Sequence, residues 1–217
     1  MAAAALIASG IRHSLAGSDT DQASLVVSGG TTPGACFDQL STTSLDWSRV
    51  TVLPSDERWL PATEPDSNEN LIRTRLLTAN ARQGKVLSFY REGIDALQAP
   101  SMIEQDLQTI ARPFSASLLG MGEDGHFASL FPDFEGLKNA LEPVGEAQCI
   151  TVQTAGSPYL RISLTLSALL DSEHIILLMF GEAKRQVLEL AANGDSPYPV
   201  EALLHHARGP LTVFWAA

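Results

Sequence analysis

The stretch Gly120-Met121-Gly122-Glu123-Asp124-Gly125-His126 places an acid and a base in one glycine-rich turn. Histidine has the unperturbed pKa nearest to working pH, so His126 can take up a proton and return it. Asp124 stands close enough in the chain to orient that ring. Glycines permit the positive-φ turns and close backbone approach that a ligand-binding loop needs. The pattern fits a catalytic loop. A solvated turn with a lone histidine is the ordinary alternative, and the remaining loops decide between them.

A second glycine-rich loop reads Ser28-Gly29-Gly30-Thr31-Thr32-Pro33-Gly34. Gly29 and Gly30 let backbone N–H groups turn inward as an anion-binding nest, and the hydroxyls of Ser28, Thr31 and Thr32 can donate as well. Pro33 suits the first turn of a following helix, whose N-terminus favours negative charge. The loop lacks the Lys-Ser/Thr ending of a Walker loop and is not a GxGxxG fingerprint. Asp56-Glu57-Arg58 adds two carboxylates and a guanidinium; taken alone, it is a solvated loop with a weak surface ion pair. Pro65-Asp66-Ser67-Asn68 reads as a turn in which Asp66 or Ser67 caps a helix. Arg161 starts or leads into an apolar strand. Lys184 falls in the first turn of a helix, where a cation opposes the dipole and an anionic ligand would relieve it.

These loops need strands and helices to converge. Apolar runs at Ser24–Val27, Val50–Leu53, Ala116–Leu119, Ile150–Val152, Ile162–Leu166, Ile175–Phe180 and Leu211–Trp215 read as buried strands, with a weaker one at Val86–Phe89. Helical spacing occurs in an alanine-rich first segment and at Cys36–Leu40, Asn70–Leu77, Met102–Ile110 and Ala183–Ala192. Val187, Leu188 and Ala191 share one face of the last, leaving Glu182, Arg185 and Glu189 for water. Alternation of this kind predicts an α/β, Rossmann-like fold with a mostly parallel central sheet and helices on both faces. In such a fold, ligands bind at the carboxyl edge of the sheet. No repeat or linker is visible, so residues 1–217 are expected to form one domain.

The 217 residues are 45% hydrophobic and 18% charged, an ordinary globular balance. A formal charge of −11 disfavours nucleic acid and anionic membrane as partners. It also means that an anionic ligand would require cations gathered locally. Met1–Ala8 lacks the basic flank of a signal peptide, and no apolar run is long enough for a membrane span. Cys36 and Cys149 are far apart and have no His or Cys at ligand spacing. Two buried thiols in a reducing cytoplasm are expected, with no metal.

The strings SGGTTP, SDERWLP followed by PDSN, GMGEDGHFASLFP, RISLTL and GEAK, in this order, resemble the 6-phosphogluconolactonase family. The matching strings run from Leu25 to about Glu189, and Tyr198-Pro199-Val200 continues the pattern. The resemblance implies a fold like that of glucosamine-6-phosphate deaminases. It implies hydrolysis of 6-phospho-D-glucono-1,5-lactone to 6-phosphogluconate in the oxidative pentose phosphate pathway, with no organic cofactor and no catalytic metal. The expected partner is a small phosphosugar lactone, and the expected state is a cytoplasmic monomer or weak homo-oligomer.

On this reading His126 is the general base, Asp124 holds His126 or the water, and Asp56 is a second candidate for that network. Arg58, or backbone N–H groups of the Gly122–Gly125 turn, stabilises the oxyanion. The phosphate sits on Ser28, Gly29, Gly30 and Thr31, near Asn68, with Arg161 and Lys184 neutralising it. Two departures stand out: Phe127 replaces a usual Thr, whose hydroxyl is a candidate ligand contact, and the N-terminus is short where relatives often carry an extra strand. The rivals are a phosphosugar isomerase or deaminase, using Asp56 as carbon base and His126 for ring opening, and a non-catalytic phosphosugar sensor.

Overall fold

A computed structural model describes residues 2–17, 22–194 and 196–217. It opens on helix α1 (Ala2–Gly17), where Ala3, Ala4, Ile7, Ala8 and Ile11 recur at helical spacing and are buried. Strand β1 (Ala23–Val27) is buried at all five positions. An unbroken apolar run of this kind suits a central parallel strand packed on both faces.

The chain continues through α2 (Gly34–Ser41), β2 (Val50–Pro54), β3 (Asp56–Arg58), α3 (Asn68–Leu71) and β4 (Lys85–Val86). Then follow α4 (Ala99–Leu107), β5 (Ala116–Leu119), α5 (Leu137–Ala140), β6 (Cys149–Val152) and β7 (Arg161–Leu164). The last elements are α6 (Leu166–Leu170), β8 (Ile175–Phe180), α7 (Glu182–Ala192), α8 (Val200–His206) and β9 (Leu211–Ala216).

Six strands form the central sheet in the order β4-β2-β1-β5-β8-β9, and every pairing is parallel. Alternate side chains feed two separate cores: Leu25 and Val27 pack in one, Val26, Leu53 and Leu177 in the other. The strand order runs outward from β1 to β2 on one side and from β5 to β8 on the other. The crevice between the carboxyl ends of β1 and β5 is therefore the switch point where this class of sheet binds ligands.

The expected α/β fold is present, but two expected strands leave the parallel sheet. The segments predicted at Ile150–Val152 and Ile162–Leu166 form, as β6 and β7, a separate antiparallel sheet of order β3-β7-β6. Leu166 already belongs to α6, because the Thr165 side chain accepts a hydrogen bond from the Ala168 N–H and starts the helix. The third strand of this sheet is Asp56–Arg58, which read as a loop. Of the weak Val86–Phe89 strand only Val86 pairs, although Leu87 and Phe89 remain buried. Ser67 is the cap of α3, its oxygen accepting from the Asn70 N–H at 3.1 Å. Among the described residues no helix is long and apolar enough to cross a membrane.

Candidate active site

A cavity of about 240 Å³ opens at the switch point. Ser28, Gly29 and Gly30 line it from the loop after β1, Gly122 and His126 from the loop after β5, and Lys184 from α7. Asp56, Arg58 and Arg161 enter from the antiparallel sheet, and Asn68 from the start of α3. Thr31 is exposed and does not line the cavity, and Thr32 lines it instead. Asp124 stands behind His126 rather than on the wall.

The β5 loop is built around that acid–base pair. Asp124 Oδ1 lies 2.6 Å from His126 Nδ1 and also accepts the His126 backbone N–H at 3.2 Å. A carboxylate only accepts, so the pairing assigns the ring proton to Nδ1 and leaves Nε2 as the basic nitrogen. A Cβ on Gly122 would stand 2.3 Å from His126 Nδ1 and 2.5 Å from Asp124 Oδ1, so only glycine leaves room for the pair. The loop is closed by Gly122 N–H donating to the His126 carbonyl at 2.9 Å and Gly125 N–H to the Gly122 carbonyl at 3.2 Å. Those two N–H groups are thus engaged within the loop, which leaves them poor donors to an oxyanion. Gly125, at φ +75°, lies against Tyr198, and its carbonyl accepts the Val200 N–H at 3.0 Å.

Immediately downstream each residue faces a different way. Phe127 and Leu130 are fully buried in the core, so Phe127 does not point at the cavity where a ligand-contacting Thr was expected. Ala128, at φ +49°, turns the chain and lines the cavity. Ser129 is buried and its hydroxyl donates to Asp56 Oδ2. Phe131 returns toward the site and packs its ring on His126, with centroids 4.3 Å apart.

The antiparallel sheet supplies fixed charges. In the β3–β7 register Arg58 lies directly opposite Arg161, and Asp56 opposite Ser163. Directly opposed residues share a face, so two guanidinium groups stand side by side at the cavity. Like charges so placed repel one another unless an anion lies between them. Arg161 is balanced in part by Asp56, whose Oδ2 is 3.5 Å from Arg161 Nη1. Burial, with the charge of Arg58 adding to it, holds the Arg161 guanidinium below the usual arginine range.

Asp56 also accepts from Ser55 Oγ at 3.0 Å and so belongs to Arg161 and the two serines, not to the Asp124–His126 pair. Arg58 has no carboxylate partner among the described residues: its Nη1 donates to the Asp66 carbonyl at 2.7 Å and to Asn68 Oδ1 at 3.2 Å, and its buried Nε has no acceptor. Lys184 likewise makes no ion pair among the described residues.

Glu57 points to the other face and is fully buried. Its carboxylate collects the N–H groups of Arg58, Asn68 and Glu69 at 2.7 to 2.8 Å and the Ser67 hydroxyl at 3.0 Å. Burial pushes it up to about 7 against the pull of those donors. Glu57 thereby pins the start of α3 to β3 and fixes Asn68, whose amide donates to the Asp56 carbonyl at 2.6 Å. A Cβ on Gly29 would fall 1.8 Å from Asn68 Oδ1, so the glycine cradle closes directly on this residue.

The family model described as "Glucosamine-6-phosphate isomerases/6-phosphogluconolactonase" matches residues 1–215. The chain belongs to that family. Within it, a 6-phosphogluconolactonase of Pseudomonas aeruginosa is 37% identical over 214 residues, spanning 98% of this chain and 88% of the relative. One from Rhizobium meliloti is 38% identical over 196 residues, 89% of this chain and 84% of its own. The crystal structure of a 6-phosphogluconolactonase from Shewanella baltica superposes with a TM-score of 0.92 at 38% identity, covering 99% of this chain and 91% of that one. The family fold thus includes both sheets.

Sequence reasoning brought most of the cavity together, Thr32 included, but missed Ala128, Ser129 and Phe131, and the anchoring role of Glu57. Ser129 and Phe131 lie inside the GMGEDGHFASLFP string, so their nearness in sequence to His126 was the available signal. The opposition of Arg58 and Arg161 had none, since β3 carries no apolar pattern.

Proposed function

We infer that the hydrolysis of 6-phospho-D-glucono-1,5-lactone to 6-phospho-D-gluconate, the activity for which its relatives are named, is carried out here with His126 as general base. Opening a lactone requires an activated water, a place for the oxyanion and a proton for the departing ring oxygen. Nε2 of His126 takes the water proton and returns it to the ring alkoxide, while Asp124 holds the Nδ1 proton and steadies the imidazolium between the two transfers.

The 6-phosphate sits on the backbone of Gly29 and Gly30 beside Ser28, with Lys184 and the guanidinium pair neutralising it. Whichever guanidinium the phosphate leaves free faces the developing oxyanion, an interaction typically worth about 3 kcal/mol. The observation that carries this reading is the Arg58–Arg161 pair, compensated only in part by Asp56, facing the Asp124–His126 pair across one cavity. Asp56 is less suited to be a carbon base, because both its oxygens are already engaged by Ser55, Ser129 and Arg161. The same reading takes residues 1–217 as one domain, active in the cytoplasm as a monomer or weak homo-oligomer. The two free, buried cysteines suit such a compartment.

The test is a lactonase assay on the purified protein with spontaneous hydrolysis subtracted, run beside unphosphorylated gluconolactone. Faster turnover of the phosphorylated substrate is expected, and equal rates on the two would remove the phosphate site. Ammonia release from glucosamine 6-phosphate would instead favour the deaminase reading.

A further inference from the structure

We propose that Phe131 is a positioning residue, one ring against which both the imidazole of His126 and the guanidinium of Arg161 are held. The His126 and Phe131 centroids are 4.3 Å apart at an interplanar angle of 42°. The Arg161 guanidinium carbon stands over the same ring, 5.3 Å from its centroid. The Arg161 distance lies within the range at which an aromatic face attracts a cation, and the His126 distance is that of two rings in close packing. The two groups come from different sheets and are otherwise held from behind: His126 by Asp124, Arg161 by Asp56 and by Ser157 Oγ at 3.4 Å. Phe131 is the contact common to them.

The backbone is arranged to deliver this ring. Phe127 and Leu130 are sunk in the core on either side of Ser129, which is tied to Asp56, so Phe131 emerges from an anchored turn. A ring on such a base resists the sideways swing of an imidazole whose one side-chain hydrogen bond among the described residues is to the half-exposed Asp124. It also gives the half-buried Arg161 a polarisable neighbour. Phe131 would therefore couple the base to one guanidinium, so that both are set for the same ligand pose. Leucine fills similar space without a π face, and tyrosine keeps the face.

This proposal rests on the lactonase reading for its kinetic arm only. The structural arm is NMR: the His126 ring protons feel the Phe131 ring current, and their resonances should move in Phe131→Leu and return near wild type in Phe131→Tyr. In the assay, Phe131→Leu should lower kcat/KM about tenfold while thermal melting shows a folded protein, and Phe131→Tyr should restore most of it. Added to His126→Ala, Phe131→Leu should cause little further loss in kcat, since its effect on the chemistry passes through His126. Unmoved His126 resonances would overturn the stacking. Moved resonances with kcat/KM within twofold of wild type would overturn the positioning role. If no lactone is turned over by the wild type, the function fails while the NMR arm still judges the stack.

Discussion

The parallel sheet and the antiparallel sheet both end at the cavity, yet they bring unlike groups to it. From the carboxyl ends of β1, β5 and β8 come glycine turns, backbone N–H groups and one acid–base pair on loops, and a lysine in the first turn of α7. From β3 and β7 come Asp56, Arg58 and Arg161, locked in a strand register, the carboxylate buried and the two arginines half-buried. Loops at the carboxyl edge can shape themselves around a sugar and move a proton. A small rigid sheet can hold opposed like charges that a loop would let swing apart. The division explains how a chain with a net charge of −11 can present a cationic site: the cations are gathered by cross-strand pairing.

If this division is right, the largest loss comes from the loop side. His126→Ala should lower kcat about 10³-fold with an unchanged melting temperature, and near-normal turnover would remove the base. Gly122→Ala keeps every polar group but drives a methyl into the pair. It should lower kcat by about tenfold or more, and a crystal structure should show His126 displaced from Asp124.

On the sheet side, Arg161→Ala should raise KM for the phosphorylated lactone about tenfold and also destabilise the fold, because Asp56 is left buried without its cation. About 2 kcal/mol is expected from denaturant unfolding, below the range for a tightly closed buried pair because the two atoms are 3.5 Å apart. Lys184→Ala, on the loop side and without an ion pair, should raise KM less, about fivefold, and leave unfolding unchanged. Equal destabilisation by the two variants would erase the contrast. Measuring Arg58→Ala and Arg161→Ala on phosphorylated and unphosphorylated lactones would show which guanidinium serves the phosphate.

The smallest effect is in pH. Glu57 holds its proton up to about 7 in the fold, against an ordinary value of 4.5. Between those values the folded state binds more protons than the unfolded one, so this group's contribution to stability falls as pH rises across that window. Glu57→Gln should flatten that part of the melting temperature's pH dependence. A slope identical to wild type would show that Glu57 does not titrate there.

The same contrast governs what the amino-acid sequence reveals. The parallel strands are buried on both faces, so they appear as plain apolar runs, and their glycine-rich loops follow at once. The cradle, the Asp124–His126 pair and Lys184 are legible for that reason. Strand β3 is only Asp-Glu-Arg, with no hydrophobic period, and its partner β7 lies far along the chain, so the pairing of Arg58 with Arg161 is invisible until the fold brings them together. Phe127 misled for a local reason: the positive φ at Ala128 sends one neighbour into the core and the other to Asp56. A string of types does not show which way each side chain turns.

The tether between Gly125 and the Tyr198–Val200 segment bears on the order in which this molecule can be made. The Asp124–His126 turn leaves the ribosome long before Tyr198, whose ring packs on it, and Val200, whose N–H closes it. During synthesis the emerging chain carries the acid and the base without the support that holds their loop in shape. Chemical competence is thus acquired late, when β8 has joined β5 and α8 has docked. A pulse of translation followed by activity should show a lag set by the length of chain still to come.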